Sequence, residues 1–379
     1  TRANQISGAV DNIFFVQLQR QHRPAYTVTF DTIQIGMRQR RPSPTTNPSS
    51  TSTPQQSTPM TSPKAVHATQ ASSISHSSTA RVISIANALA FALNTIETAG
   101  FGPFSSRFAP NQDNASISDK YQTIITPNGI AFSIWSVIFL SEAIFVALTL
   151  LWEREGRHAL VLDGASFWFV GACLAQFAWS PAFAYENLPL SLFFMGCIFL
   201  PLLMIALRQY NVTTRHLSNP STESWKRSDY WLLQFPFEIH LAWISAALVL
   251  NTNIVVVGAG ASAKTQAVVG AVSLAVLAFA ALSCLFVVKR SQFTLPLVVA
   301  WATFWMSYEL QNPKQLILNT FKPDQIHSFF IWTRVLSAIV VMATVVRWVF
   351  HSFMGNKVKK SSGGLSEDTS LLRSSVEAR

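Results

Sequence analysis

Residues 176–189 read QFAWSPAFAYENLP and lie inside a long apolar part of the chain. Gln176, Trp179 and Pro181 fall within two helical turns, and the stretch ends in the polar corner YENLP. A helix that only fills lipid has no use for such residues, because polar groups are costly there. Pro181 also cannot donate a hydrogen bond to the carbonyl of Phe177, so the helix can bend at this point. The stretch therefore predicts a helix that forms one wall of a site and then turns back sharply.

The composition of the whole chain favours a membrane protein. Of its 379 residues, 49% are hydrophobic and only 12% are charged, whereas a typical soluble domain is about 25% charged. Several apolar runs reach the roughly 20 residues that a helix needs to cross a bilayer. The alternating pattern of a membrane barrel is missing. We therefore predict an all-α fold, a polytopic membrane helix bundle.

Eight apolar segments are predicted to be membrane-spanning helices. The corner YENLP is too short to join the third and fourth in any way other than as an antiparallel hairpin. Pro189 suits the first turn of the fourth helix, where its missing N–H has no cost. The predicted spans are 82–100, 129–151, 165–186, 188–208, 233–256, 266–288, 293–310 and 328–350.

Composition divides the chain into four regions. They are predicted to be a disordered Ser/Thr/Pro-rich segment at 1–80, a five-helix core at 81–258, three further transmembrane helices at 259–351 and a disordered cytosolic tail at 352–379. Because residues 41–80 contain no acid, the first region is either an organelle transit peptide or a plain cytosolic tail. Met37 is one candidate for the start of translation.

The distribution of basic residues predicts that both termini lie in the cytosol. With the N-terminus inside, the inner loops and the start of the C-terminal tail hold eleven Lys and Arg residues and the outer loops hold five, as the positive-inside rule requires. The net charge of +10 is therefore a topology signal and does not indicate a nucleic-acid partner. The inner set is Arg154, Arg157, Arg208, Arg215, Lys226, Arg227, Lys289, Arg290, Lys357, Lys359 and Lys360, and the outer set is Arg107, Lys120, Lys264, Lys314 and Lys322.

Catalytic and metal-binding motifs are missing from the sequence. There is no Gly-rich phosphate loop, no HExxH, no Cys/His metal pattern and no nucleophile elbow. The three cysteines, Cys173, Cys197 and Cys284, lie in apolar runs and are predicted to pack rather than to react. We therefore expect no enzyme activity, no required cofactor and no metal site.

Polar and aromatic side chains recur at one depth in three helices. At 1.5 Å per residue, Trp135 and Trp179 lie roughly 9 and 10 Å from the outer ends of their helices, and Asn251 roughly 8 Å. These positions predict a shared pocket, although helix packing or an interfacial belt is the alternative for each tryptophan. Glu142 follows Trp135 by seven residues, on the same helix face. It either lines the floor of the pocket or bonds a neighbouring helix.

Three other polar residues, His240, Glu309 and Arg334, also lie within predicted membrane spans. His240 is expected to be a satisfied packing residue. Glu309 and Arg334 both lie toward the outer ends of their helices, which would allow an ion pair between them.

Three segments follow one another on the second, third and fifth predicted helices: TPNGIAFSIWSVIF at 126–139, QFAWSPAFAYENLPLSL at 176–192 and PFEIHLAWISAALVLN at 236–251. In this order and spacing they resemble the signatures of the tryptophan-rich sensory protein family, which includes the translocator protein. The resemblance covers about 82–258. The matching residues are Pro127, Phe132, Trp135 and Phe139, then Trp179, Pro181 and Phe183, then Pro236, Trp243, Ala247 and Asn251.

The resemblance implies a five-helix bundle with a pocket that opens to one leaflet and is capped by the loop 101–128. It implies a flat apolar ligand, such as a tetrapyrrole, between helices one, two, three and five. Gln176 stands where the family often has Asn, and a sterol-recognition pattern is missing from helix five, so ligand identity stays open. The predicted ligand-binding residues are Trp135, Phe139, Glu142, Gln176, Trp179, Phe183, Trp243, Ala247 and Asn251.

Two alternative functions stay open. One is a secondary transporter that uses Glu142, Glu309 and Arg334 as coupling groups. The other is a structural subunit of a larger membrane complex, in which the pocket residues only pack.

The expected partners are the lipid bilayer and a small apolar ligand, and a homodimer is left open. Glu367, Leu371 and Leu372 have the spacing of the acidic dileucine signal that clathrin adaptors read. This signal favours a vacuolar or endolysosomal membrane, with a plastid or mitochondrial membrane as the alternative.

Overall fold

The computed structural model describes residues 63–101, 114–218, 225–288 and 292–377, and these ranges contain helices and no strand. Eight long helices occupy the positions of the eight predicted segments. We number them α1 (Pro63–Phe101), α2 (Ile134–Leu151), α3 (Trp168–Ala184), α4 (Leu188–Ser218), α5 (Phe235–Gly258), α6 (Ala263–Phe286), α7 (Thr294–Glu309) and α8 (Pro323–Glu377). The predicted all-helical fold class is confirmed.

Six helical stretches are long and apolar enough to cross a membrane. They are Ser78–Thr98, Gly129–Leu151, Leu188–His216, Tyr230–Gly258, Ala263–Phe286 and Pro323–Phe350. The remaining two helices, α3 and α7, have 17 and 16 residues, or about 25 Å at 1.5 Å per residue. They form where predicted and lie near the lower end of the lengths, about 17–25 residues, that cross a bilayer. Of the three further helices predicted to span the membrane, α6 and α8 are among the six stretches, and α7 forms at its predicted position.

Five helices form a closed ring. Helix α1 packs against α2 and α3, α2 packs against α5, and α4 joins α5 to α3. The order around the ring is therefore α1, α2, α5, α4 and α3. Side chains that point inward from these helices share one interior.

Helix α5 is a wall common to the ring and to the C-terminal helices. It packs against α6 and α7 on the side away from the ring, and α6, α7 and α8 pack against one another in pairs. Half of its span is buried, a larger share than in any of the other spans. The C-terminal helices are thus attached to the ring through α5.

The corner between α3 and α4 forms the predicted antiparallel hairpin. Glu186 has a φ of 59°, which few residues other than glycine adopt. Its N–H donates to Phe183 O, and the N–H of Asn187 donates to Ala182 O at 2.9 Å, the bond pattern that ends many helices. The Glu186 carboxylate accepts hydrogen bonds from Lys120 Nζ and from Tyr121 Oη at 2.6 Å. The Lys120 bond, followed by the Tyr121 bond, lowers the pKa of the Glu186 carboxyl.

We call the end of the bundle that carries residues 114–133 the loop end. The opposite end is held by a buried carboxylate, Asp229, which is 2% exposed. It accepts bonds from both terminal nitrogens of Arg154, at 3.0–3.2 Å, and from the backbone N–H of Lys226 at 2.6 Å. His158 Nε2 lies 3.5 Å from Asp229 Oδ2. Asp229 thereby ties the α2–α3 connection to the chain segment that leads into α5.

Three helices extend beyond their predicted limits. Helix α1 begins at Pro63, within the region predicted to be disordered, while residues 1–62 lie outside the described residues. Helix α4 continues to Ser218, past the predicted end at 208, and α8 continues through the predicted tail to Glu377. The candidate start Met37 also lies outside the described residues.

Candidate functional site

Trp135 is the centre of an aromatic group where α2 meets α5. Its ring centroid lies 5.6 Å from Phe139, 5.6 Å from His240 and 6.4 Å from Trp243. Phe132 packs edge-on against Trp243 at 5.6 Å. The structure thus brings together three predicted site residues from α2 and α5 and adds His240 and Phe132 to them.

Glu142 and His240 form a buried pair between α2 and α5. Glu142 Oε1 lies 2.7 Å from His240 Nδ1, and the two residues are 0% and 2% exposed. Of the two roles left open for Glu142, this contact is the bond to a neighbouring helix. His240 was predicted to pack, and it does so, but as the partner of a carboxylate.

Helix α3 contributes Trp179, Phe183 and Gln176 to the same interior. Trp179 and Phe183 stack with their centroids 5.1 Å apart and their planes at 15°. Gln176 is 2% exposed. Trp179 packs against the same two buried apolar clusters as Trp135, so the two tryptophans face a common core from different helices.

The last two predicted site residues lie on α5, farther from Trp135. Asn251 Oδ1 accepts a hydrogen bond from Ser191 Oγ on α4 at 3.0 Å. Ala247 packs at the edge of the apolar cluster inside the ring. The Asn251 side chain therefore bonds α4 to α5 near the loop end.

Phenylalanines fill the half of the ring away from the loop end. Phe145, Phe169 and Phe237 lie with centroids 4.8–5.8 Å apart, and Phe91 stacks on Phe169 at 6.2 Å. These phenylalanines were not predicted from the sequence to be important, although they recur at similar depths on four helices. This packing confines the candidate site to the half of the ring nearer the loop end.

Several buried polar atoms in that half lack a hydrogen-bond partner among the described residues. Leaving such an atom unpaired costs roughly 1–3 kcal/mol, so each calls for an explanation such as a ligand or a bound water. Among them are Glu142 Oε2, Gln176 Oε1, Trp179 Nε1, His240 Nε2 and Trp243 Nε1.

Glu309, at the end of α7, holds the loop that precedes α2. Its Oε2 accepts from Asn128 Nδ2 at 2.8 Å and its Oε1 accepts from Gln122 Nε2 at 3.1 Å. Trp301 Nε1 donates to Ala131 O at 3.0 Å. Of the predicted capping loop, 102–113 lies outside the described residues, and the part around Gln122 and Asn128 is fixed by α7.

The ion pair between Glu309 and Arg334 was a wrong prediction. The Arg334 guanidinium lies over the rings of Phe304 and Phe330, at 5.2 and 5.7 Å, and the basic group near Glu309 is Lys314 Nζ at 3.9 Å. At about 100° per residue, Glu309 points roughly 140° away from Phe304 around α7. Arg334 lies at the level of Phe304, about 8 Å along α7 from Glu309, so the two residues differ in depth as well as in direction.

Groups of three or more His, Cys, Asp or Glu side chains able to hold a metal do not occur within the described parts of the chain. Cys173, Cys197 and Cys284 are free thiols there.

A family model described as TSPO-like protein matches residues 82–347, from α1 into α8. The chain belongs to the TSPO-like protein family. The match continues past residue 258, where the resemblance drawn from the signatures ended, and includes α6 and α7. No curated protein and no solved structure matches the chain. Together with the six apolar spans, membership identifies an integral, multi-pass membrane protein of a ligand-binding family.

Replacing Glu309 by Gln is expected to loosen the capping loop of this TSPO-like protein. Both carboxylate oxygens accept from amide groups, so the NH₂ of Gln would face another donor. Loss of one of these bonds is expected to destabilise the closed position of the loop by about 2 kcal/mol. Hydrogen exchange of the backbone N–H of Asn128, which is bonded to Trp305 O, should become faster in the variant.

Asp119→Asn is the matched control for this prediction. Asp119 bonds Lys314 at the exposed surface of the same loop region, and such pairs contribute about 0–1 kcal/mol. Equal exchange rates at Asn128 in the wild type and in Glu309→Gln would show that the Glu309 carboxylate does not hold the loop.

Proposed function

We propose that this TSPO-like protein binds a flat apolar molecule, such as a tetrapyrrole, inside the ring at its loop end. The observation that carries the proposal is the group around Trp135, where indole and phenyl rings from α2 and α5 meet. Trp179 and Phe183 add a stacked pair from α3. Aromatic faces of this kind bind planar ligands by stacking and by burial of apolar area.

The unpartnered polar atoms support a ligand that also has polar groups. Indole N–H groups of Trp179 and Trp243 are donors, while Gln176 Oε1 and Glu142 Oε2 are acceptors. A ligand that satisfied them would remove the cost of leaving them unpaired. Asn251 is a weaker candidate for a polar contact, because its oxygen already bonds Ser191.

The two ends of the ring favour a site that is enclosed rather than a channel. Phenylalanines pack closely in the half away from the loop end. Glu309 fixes the capping loop at the loop end. This arrangement supports binding of a ligand more than its passage through the ring. We propose neither an enzyme activity nor a required cofactor.

Porphyrin titration monitored by tryptophan fluorescence tests the proposal. We expect quenching in the wild-type protein and about tenfold weaker binding in Trp135→Ala, because a lost stacking contact in a buried site corresponds to about 1.4 kcal/mol. Trp179→Ala is expected to show a similar loss.

Trp332→Ala is the matched control, because Trp332 is half-exposed on α8, outside the ring. It should keep the wild-type affinity. Quenching that is unchanged in both Trp135→Ala and Trp179→Ala would contradict a site inside the ring.

One observation favours transport as a second candidate function. Glu142 and His240 form a titratable pair deep in the bundle, and such pairs occur in proton relays of transporters. The other two coupling groups of this alternative, Glu309 and Arg334, lie elsewhere and do not pair. Uptake into proteoliposomes that is lost in Glu142→Gln would support transport.

We further propose that both termini face the cytosol and that the protein resides in a vacuolar or endolysosomal membrane. The excess of basic residues on the inner side supports this orientation. A clathrin adaptor would read Glu367, Leu371 and Leu372 in the C-terminal part of α8. Replacing Leu371 and Leu372 by Ala should move the tagged protein to another membrane in cells.

A further inference from the structure

Arg334 lies within a membrane-spanning helix and has no acidic partner among the residues that the structure describes. Its guanidinium lies over the rings of Phe304 and Phe330, and it forms no ion pair or hydrogen bond with any of those residues. An arginine within a span is costly, and such residues usually mark a binding or transport site. Aromatic rings alone compensate for only part of the lost hydration. The group that neutralises this charge must therefore come from outside the described chain.

The contact between α7 and α8 fixes the depth of this arginine. Ser337 Oγ donates to Ala300 O at 2.9 Å, which sets the register of the two helices. One turn from this bond toward the loop end, Arg334 meets Phe304. Phe304 is five residues from Glu309, the last residue of α7, or about 8 Å along the axis. The guanidinium thus lies within reach of the membrane interface.

The surface beside Arg334 is apolar and faces away from the ring. Phe304 is 37% exposed and Ile331 is 42% exposed, and Ile331 precedes Arg334 by three residues on the same side of α8. Trp305 and Tyr308 extend the aromatic surface of α7, with centroids 5.3 Å apart. In a bilayer, this side of the protein borders the acyl chains.

His327 continues the polar line along α8 toward the loop end. It precedes Arg334 by seven residues, so the two lie on one face of the helix. Its ring lies 6.1 Å from Phe330, the same phenyl ring that the Arg334 guanidinium contacts. The face therefore carries two nitrogen donors separated by an aromatic ring.

We propose that the α7–α8 face around Arg334 binds an anionic phospholipid, with the phosphate on the guanidinium and an acyl chain along Phe304 and Ile331. A guanidinium binds phosphate oxygens with two parallel N–H donors, and a long basic side chain can reach the interface from inside the span. The negative charge complements Arg334, and the exposed apolar surface complements the chain. The proposal is independent of a ligand in the ring, because Arg334 lies on the other side of α5.

Lipid titration with native mass spectrometry tests the site in the full chain. Phosphatidic acid and phosphatidylcholine with identical acyl chains would be added separately to the detergent-purified protein. We expect the wild type to bind phosphatidic acid more tightly than phosphatidylcholine. Arg334→Gln should bind phosphatidic acid about fivefold more weakly than the wild type does, since a basic group near the surface contributes about that factor. Arg334→Lys should keep only part of the preference, because it keeps the charge but loses the two parallel N–H donors.

Arg347→Gln is the matched control. Arg347 lies on the same helix, also over a phenyl ring, that of Phe286, but near the opposite end of the span. It should keep the wild-type preference for phosphatidic acid. The proposal is overturned by equal binding of the two lipids in the wild type, by an unchanged preference in Arg334→Gln, or by a loss in Arg347→Gln. It is also overturned if Phe304→Cys forms a disulfide-linked dimer in neutral lipid, because a second copy would then cover the face.

Discussion

Replacing Glu142 by Leu is expected to lower the free energy of unfolding by about 3 kcal/mol. The carboxylate is fully buried and lies 2.7 Å from His240, and removal of one member of a buried pair leaves the other without compensation. Denaturation of the detergent-solubilised protein, followed by circular dichroism, would measure the change.

The double variant Glu142→Leu/His240→Leu provides the control. When both polar members of a buried pair are replaced by apolar side chains of similar volume, stability is often restored or even increased. We expect the double variant to be closer to the wild type than Glu142→Leu is. If the effects of the two single changes simply add, the pair has no energetic coupling, and the short distance does not stabilise the bundle.

The same double variant separates the two candidate functions. Trp135 contacts His240, yet stacking by Trp135 requires no charge. If porphyrin still quenches the tryptophan fluorescence of the double variant, Glu142 and His240 contribute to the stability of the bundle and not to ligand binding. A folded double variant that binds ligand but loses uptake would assign them to transport.

Acid is expected to destabilise the wild type more than the Asp229→Asn variant. Burial acts to raise the pKa of Asp229, but the bonds from His158, Arg154 and the Lys226 N–H outweigh it and lower the pKa below its ordinary value of 3.8. The unfolded chain then binds the proton more readily than the folded protein does. The stabilisation by this group is therefore complete above pH 3.8 and is lost as the pH falls below that value.

At neutral pH, Asp229→Asn should lower the free energy of unfolding by about 2–3 kcal/mol, because a charge-assisted hydrogen bond contributes more than a neutral one. On lowering the pH toward about 3, the difference in thermal midpoint between variant and wild type should shrink. Glu153→Gln is the control at the same end, since its pair with Arg157 is exposed. A difference that stays constant with pH would rule out a low pKa for Asp229.

Helix positions were predictable from the sequence, because apolar runs and the polar corner are local signals. The hairpin around Glu186 follows from the length of YENLP alone. Helix ends were less predictable: Pro63 begins α1 in a segment whose composition favours disorder, and α4 continues to Ser218 through residues that were assigned to a loop.

The candidate site was predictable in depth but not in direction. Counting residues placed Trp135 and Trp179 at one level, and both point into the ring. It could not show that Glu142 meets His240, because the rotation of α2 against α5 depends on packing between residues 98 positions apart. The missing rotation, together with a difference of about 8 Å in depth, explains why Glu309 and Arg334 do not meet.

The short helix α7 has a consequence for the order in which the protein assembles during synthesis. A helix of 16 residues enters the bilayer poorly by itself, and much of its stabilisation comes from α8, which is made after it. The Ser337–Ala300 bond, for example, exists only when α8 is in place. A ribosome that stops before residue 323 would leave α7 without this partner. We therefore expect such truncated chains to be degraded rapidly in cells, although every helix of the ring has already been made.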